Sequence, residues 1–132
     1  MRIVLDTNVL ISALLNPNGH PASIINLILS DELILLFDNR IMDEYRQVLS
    51  REKFNFDAAL YEPLLDYISD NGIFVVAQPF KSPHVDKDDA AFYEVALSAQ
   101  ADWLITGNTK HFPKEKLIIT PACFIDKFLS LQ

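Results

Sequence analysis

Cysteine is almost missing from this chain: one thiol, Cys123, in 132 residues. That excludes an intrachain disulfide. With no histidine or aspartate pattern beside it, the thiol is expected to be buried and unreactive, in a reducing cytoplasm. No apolar run approaches the roughly 20 residues that cross a bilayer, and the N-terminus lacks the charged, apolar and small-residue sections of a secretory signal. A cytoplasmic protein with no membrane contact is the expectation. Internal repeats, low-complexity tracts and linkers are absent too, so residues 1–132 are expected to form a single domain with a core of its own. Positive charge is scarce: 11 Lys+Arg stand against 18 Asp+Glu, for a net charge of −7. A module that holds nucleic acid by bulk positive charge is therefore disfavoured. An enzyme that meets nucleic acid through bound divalent cations is not, because those cations reverse the local field.

What is present is an alternation of short apolar runs and helical patterns. "RIVLD" (2–6) reads as a buried strand, and Val9, Leu10, Ala13 and Leu14 then fall at helical spacing. "NPNGHP" (16–21) is a turn by composition, and Pro21 suits the first turn of a second helix running to about Ser30. "LILLF" (33–37) is a second strand, followed by a helix with Ile41, Tyr45, Val48 and Leu49 on one face. Asp57 is placed to cap another helix, with Leu60, Leu64 and Ile68 expected inward and Pro63 disturbing its start or its straightness. "NGIFVVA" (71–77) gives a turn and a third strand, "QPFKSPHVDKD" (78–88) a Pro-punctuated loop, and a helix is expected from about Asp88 to Gln100. "WLIT" (103–106) and "LIIT" (117–120) supply two further strands around the polar loop "GNTKHFPKEK", and Pro121 opens a last amphipathic helix. Strands apolar on both faces, alternating with helices, predict a three-layer α/β/α fold around a mainly parallel sheet of about five strands. Ligands of such sheets sit beyond the carboxyl ends of the strands.

Those ends carry acid repeatedly. Asp6 follows the first strand, Asp38 and then Glu44 the second, Asp86, Asp88 and Asp89 the third, and Asn108 the fourth, with His111 three residues on. Gathered at one sheet edge, such carboxylates repel one another and resist desolvation unless a cation sits among them. Oxygen ligands without cysteine suit Mg²⁺ or Mn²⁺ better than zinc. Each position also has a purely structural reading. Asp6 or Asn8 can cap the first helix, and Asp86, Asp88 and Asp89 can stabilise a helix N-terminus by about 0.3–1 kcal/mol each. Glu44 lies at the border of the apolar stripe and Asp43 on the opposite side, which favours Glu44 over its neighbour. Periodicity does not choose between Asp88 and Asp89.

With these positions assembled, the chain resembles a PIN domain almost end to end. "IVLDTNVLIS" (3–12) is similar to the family's opening strand and its Asp-Thr/Ser-Asn sequel, and Glu44 matches the acidic residue in the helix after the second strand. "DKDDAAFYEVALSAQADWLITGN" (86–108) is similar to the third block, an Asp opening an alanine-rich helix that leads to a strand ending in Thr. The short length and the "TGN" ending resemble the VapC-like proteins of bacterial toxin–antitoxin systems. The resemblance implies that Asp6, Glu44 and Asp89 hold the metal, with Asn108 at a fourth position that is Asp in many members and Asn in others. It implies supporting roles for Thr7, Asn8 and Thr106, and Asp86 and Asp88 flank the third ligand. His111 stands where many relatives have another Asp.

A metal-dependent endoribonuclease acting on single-stranded or structured RNA is the activity this implies, with Mg²⁺ or Mn²⁺ as cofactor. One or two such ions lower the pKa of bound water and clamp the phosphate. The resemblance further implies a homodimer, a cognate antitoxin protein and a toxin role. Arg40, Arg46, Arg51, Lys53, Lys110, Lys114 and Lys116 are the basic residues near these blocks, with Arg40 and Lys110 expected to meet RNA. A haloacid-dehalogenase-like phosphatase would need a second Asp where Asn8 stands, and a two-component receiver domain would need an acidic pair after the first strand. A binding module that keeps the fold without turnover is the remaining alternative, and Asn108 and His111 are the departures that favour it.

Overall fold

The computed structural model describes residues 1–80 and 85–131. Among these residues five strands, β1 (Arg2–Leu5), β2 (Ile34–Phe37), β3 (Ile73–Phe74), β4 (Trp103–Ile105) and β5 (Ile118–Ile119), form one sheet in the order β3-β2-β1-β4-β5. Every pairing is parallel, with Ile3 opposite Leu35 and Val4 opposite Leu104. Ile3, Val4, Leu5, Leu36, Leu104 and Ile105 are all fully buried. That is why these strands carry apolar residues at successive positions rather than in alternation: helices cover both faces, in three α/β/α layers.

Among the described residues six α-helices run between and after the strands: α1 (Thr7–Leu15), α2 (His20–Leu29), α3 (Asn39–Leu49), α4 (Ala58–Asn71), α5 (Ala90–Ser98) and α6 (Pro121–Ser130). Helix α1 packs on α2 and α2 on α6, while α5 lies across β1, β2 and β4. Helix α3 buries Ile41, Met42, Tyr45, Val48 and Leu49 on one stripe, and the Asp38 side chain caps it by accepting the Ile41 amide at 3.0 Å. Among the described residues, no helix is long and apolar enough to cross a membrane.

The chain steps from β1 to β2 to β3 in one direction and then returns across the sheet to place β4 on the other side of β1. Strand order reverses there, so the carboxyl ends of β1 and β4 flank the crevice where ligands of such sheets bind. A close approach holds the far edge. Gly72 joins α4 to β3, and a Cβ at that position would lie 2.7 Å from the carbonyl oxygens of both Ile68 and Leu35.

Several expectations are corrected in detail. Leu60 is 55% exposed; the inward stripe of α4 is Tyr61, Leu64, Leu65 and Ile68, and Leu60 lies about 100° round the helix from Tyr61. Pro63 neither starts nor ends α4, which runs through it. Cys123 is exposed, not buried, because α6 turns Phe124 and Ile125 to the core. The helix expected over 88–100 begins as a 3-10 turn, Lys87–Asp89, and ends at Ser98, before Gln100 takes a left-handed φ of 52°. The loop expected over 78–88 is described except at 81–84, which lie outside the described residues.

Candidate metal centre

Asp6 is the residue at which β1 becomes α1. It occupies the N-cap position, yet its side chain closes no cap hydrogen bond. Instead it is 3% exposed, and its Oδ2 accepts the Thr106 hydroxyl at 2.7 Å. Thr106 comes directly after β4, is itself fully buried, and accepts the Asn108 amide at 3.0 Å. The two central strands are thus joined at their carboxyl ends by a side-chain bond that fixes the Asp6 carboxylate. Burial pushes the pKa of Asp6 up; the Thr106 bond, the amides of Asn8 and Thr7 and the nearby His111 pull partly the other way.

Glu44 comes from α3. The Thr7 hydroxyl, one residue beyond Asp6, donates to its Oε2. Glu44 is half-buried whereas Asp43 is exposed, as the stripe geometry predicts. Burial raises the Glu44 pKa, the Thr7 bond opposes this, and the charges of Asp6 and Asp88 raise it further. Tyr45, next along α3, is wholly buried and donates its hydroxyl to the Leu5 carbonyl at 2.5 Å, tying the helix to the last residue of β1.

Asp89 lies at the junction of the 3-10 turn and α5, with its side chain 15% exposed. Its pKa is pushed up to about 6, first by burial and then by the Asp6 charge, against the pull of His111. Asp86 caps the turn by accepting the Asp88 amide at 3.0 Å, while Asp88 itself is exposed. Across from them, His111 places Nδ1 3.0 Å from Asp89 Oδ2, on a ring that is 49% exposed. One ligand atom each from Asp86, Asp89 and His111 fall within 4.8 Å of one another, so this cluster is able to chelate a divalent metal.

Asp6 is therefore within electrostatic reach of both Glu44 and Asp89, the three residues coming from segments distant in sequence. Asp6 and Glu44 stand outside the tight Asp86–Asp89–His111 group, held by Thr106 and Thr7 respectively. Asn108 is exposed beside the centre, attached through its backbone, and Asn8 is exposed on α1. The donors suit a divalent cation: several carboxylate oxygens whose charges oppose one another, plus one imidazole.

Arg40 is placed differently from Lys110. The Arg40 guanidinium sits between Asp38 at 2.8 Å and Glu94 at 2.6 Å, so two carboxylates already occupy it. Lys110 is exposed in the β4–β5 loop. Two elements of this site, Glu94 and Tyr45, were given no role in it from sequence, and a third, His111, was singled out only as a departure. Glu94 reads as an ordinary helix-surface residue, and Tyr45 reads only as core. His111 reads as a departure from an acidic pattern, although histidine beside carboxylates is a familiar metal-ligand combination.

The PIN domain family model matches residues 2–110, a span that contains Asp6, Glu44, Asp86, Asp89 and Asn108 and stops one residue short of His111. An uncharacterized protein of Methanocaldococcus jannaschii is 31% identical over 111 residues, which covers 82% of this chain and 71% of that protein. No solved structure matches the chain.

Proposed function

The chain belongs to the PIN domain family, and on that premise we propose that it is a metal-dependent endoribonuclease that hydrolyses phosphodiester bonds of single-stranded or structured RNA. One observation carries this reading above the others. Three acidic side chains, Asp6, Glu44 and Asp89, have raised pKa values at the point where strand order reverses, which is where a divalent cation would relieve them.

In this reading Asp6, Glu44 and Asp89 hold Mg²⁺ or Mn²⁺, with Asp86 and Asp88 adding negative charge at the rim. The bound ion supplies acidified water and neutralises the phosphate oxygens. The protein's own part is placement. Thr106 and Thr7 lock the carboxylates of Asp6 and Glu44, Asn8 supports the turn between them, and Tyr45 holds the end of β1 against α3. The Asn108 side-chain amide orients a phosphate oxygen or the attacking water, and His111 steadies Asp89. The finer reading takes residues 1–132 as a single cytoplasmic domain, active as a homodimer and held in check by a cognate antitoxin, in line with the resemblance to VapC-like toxins.

Cleavage of a pool of single-stranded RNAs tests this directly. Wild type with Mg²⁺ or Mn²⁺ is expected to cut, and EDTA or Asp6→Asn to abolish cutting while circular dichroism stays unchanged. A folded Asp6→Asn variant with full activity would sink the assignment. A folded wild type that binds metal and cuts no RNA would favour the binding module without turnover.

A further inference from the structure

The structure divides the basic side chains near the metal centre into two sets. Arg40 is spent on Asp38 and Glu94, and Arg46 lies 3.9 Å from Glu62. Lys53 sits over the Phe54 ring at 5.0 Å, and the Arg51 charge acts on Glu44 of the metal centre itself. Lys110, Lys114 and Lys116 form no ion pair among the described residues, and all three line one open groove of about 1060 Å³ along the loop between β4 and β5. Its lining includes Thr109, which follows Asn108 in the chain, and Ile118 on β5. In a chain of net charge −7, three of the 11 cationic side chains are concentrated in this one loop. Its single acid, Glu115, already accepts the Tyr93 hydroxyl at 2.7 Å.

The groove's chemistry selects its occupant. Ammonium groups attract an anionic strand as point charges and need no fixed donor fork. Phe112, Pro113 and Ile118 give the wall an apolar character, while no Asn, Gln or Arg lines it to read a base edge. Such a surface recognises a flexible polyanion by charge and tolerates any sequence. Asp6, Glu44, Asp89 and His111 do not line it; its link to the metal centre is Thr109, the residue after Asn108 in the chain.

We infer that the β4–β5 groove is the track of the RNA strand, with Lys110, Lys114 and Lys116 each holding a phosphate of single-stranded RNA beyond the scissile bond. This rests on the nuclease reading above and adds to it the surface that binds the substrate. The binding is electrostatic and sequence-tolerant, and the α3 arginines contribute little to it.

The test compares wild type with the triple variant Lys110→Gln/Lys114→Gln/Lys116→Gln. Binding of a labelled single-stranded RNA is followed by fluorescence anisotropy in EDTA, between about 50 and 200 mM salt, and cleavage is followed with Mn²⁺. Three phosphate contacts contribute about 2 to the slope of log K against log salt. Wild type is therefore expected to lose about 20-fold more affinity than the variant across that range. In cleavage the variant is expected to raise KM with kcat unchanged, and Lys→Arg at the same positions to restore the slope. A wild type that cuts RNA while the triple variant keeps its slope and KM would overturn the groove assignment and leave the nuclease reading standing. A wild type that neither binds nor cuts RNA would overturn both. Binding of an oligoglutamate peptide more tightly than RNA, through the same lysines, would overturn it in favour of an acidic protein segment.

Discussion

Replacing Asp89 by Asn is expected to stabilise the metal-free protein at neutral pH. The reasoning is linkage. The Asp89 carboxyl rises from 3.8 to about 6 in the folded chain, so the native state binds that proton more tightly than the unfolded one. Its contribution to stability is therefore present in acid and is lost as pH climbs from about 4 to about 6. Ionising it costs about 3 kcal/mol at about 1.4 kcal/mol per pH unit, and relief by solvent at this partly buried position brings that to about 1–2 kcal/mol. Asn carries no charge and occupies nearly the same volume. Urea unfolding in EDTA at pH 7.5 is expected to show the variant more stable by that amount, with Tm higher by roughly 3–8 °C. At pH about 4, where the wild-type carboxyl is protonated, the advantage is expected to vanish. Saturating Mn²⁺ reverses the order, because only the carboxylate gains from the cation, and metal affinity is expected to fall about tenfold per pH unit below about 6. An Asn variant less stable than wild type in EDTA at pH 7.5 would refute the reasoning: it would mean that the bond to His111 outweighs the burial of the charge.

Three further outcomes are expected. Thr106→Val removes the hydroxyl that Asp6 accepts at 2.7 Å in a fully buried setting, so chemical denaturation should show a loss of about 1–3 kcal/mol, accompanied by weaker metal binding. Gly72→Ala forces a methyl against two backbone oxygens at 2.7 Å and is expected to cost about 1–3 kcal/mol; unchanged stability would mean that the α4–β3 junction can open. His111→Ala removes an attraction that lowers the Asp89 pKa, so the Asp89 carboxyl carbon in NMR should titrate with a midpoint above about 6, and an unmoved midpoint would disprove the contact.

Much of the fold was legible because parallel strands announce themselves. Ile3-Val4-Leu5 and Leu35-Leu36-Phe37 are apolar at every position, which only a sheet covered on both faces demands. Element ends were less legible. The 3-10 turn at Lys87–Asp89 and the two-residue β3 and β5 are set by tertiary contacts, such as the Val75 amide reaching the Phe37 carbonyl at 2.8 Å. Exposure on α6 was misjudged at Cys123 because a small apolar residue beside Phe124 carries no signal about which neighbour faces the core. In the acidic cluster, Glu44 over Asp43 followed from helix geometry alone. Asp89 over Asp88 did not, since the two lie in a turn whose path the sequence does not encode. Arg40 could not be distinguished from Lys110 in sequence either. Its carboxylate partner Glu94 is 54 residues away.

The bond between Asp6 and Thr106 joins residues 100 positions apart, and it bears on the order in which the protein matures during synthesis. The first strand leaves the ribosome early, but it occupies the centre of the sheet, and one of its two neighbours is β4. Until residues 103–106 emerge, the Asp6 carboxylate lacks the hydroxyl that fixes it, and the turn carrying Asp89 lacks its partner His111. Contacts of such long range form late and slowly. The nascent chain therefore carries its acidic residues in an unassembled state until residues 103–111 have emerged, and the centre is completed only when that late segment folds back onto β1 and α5.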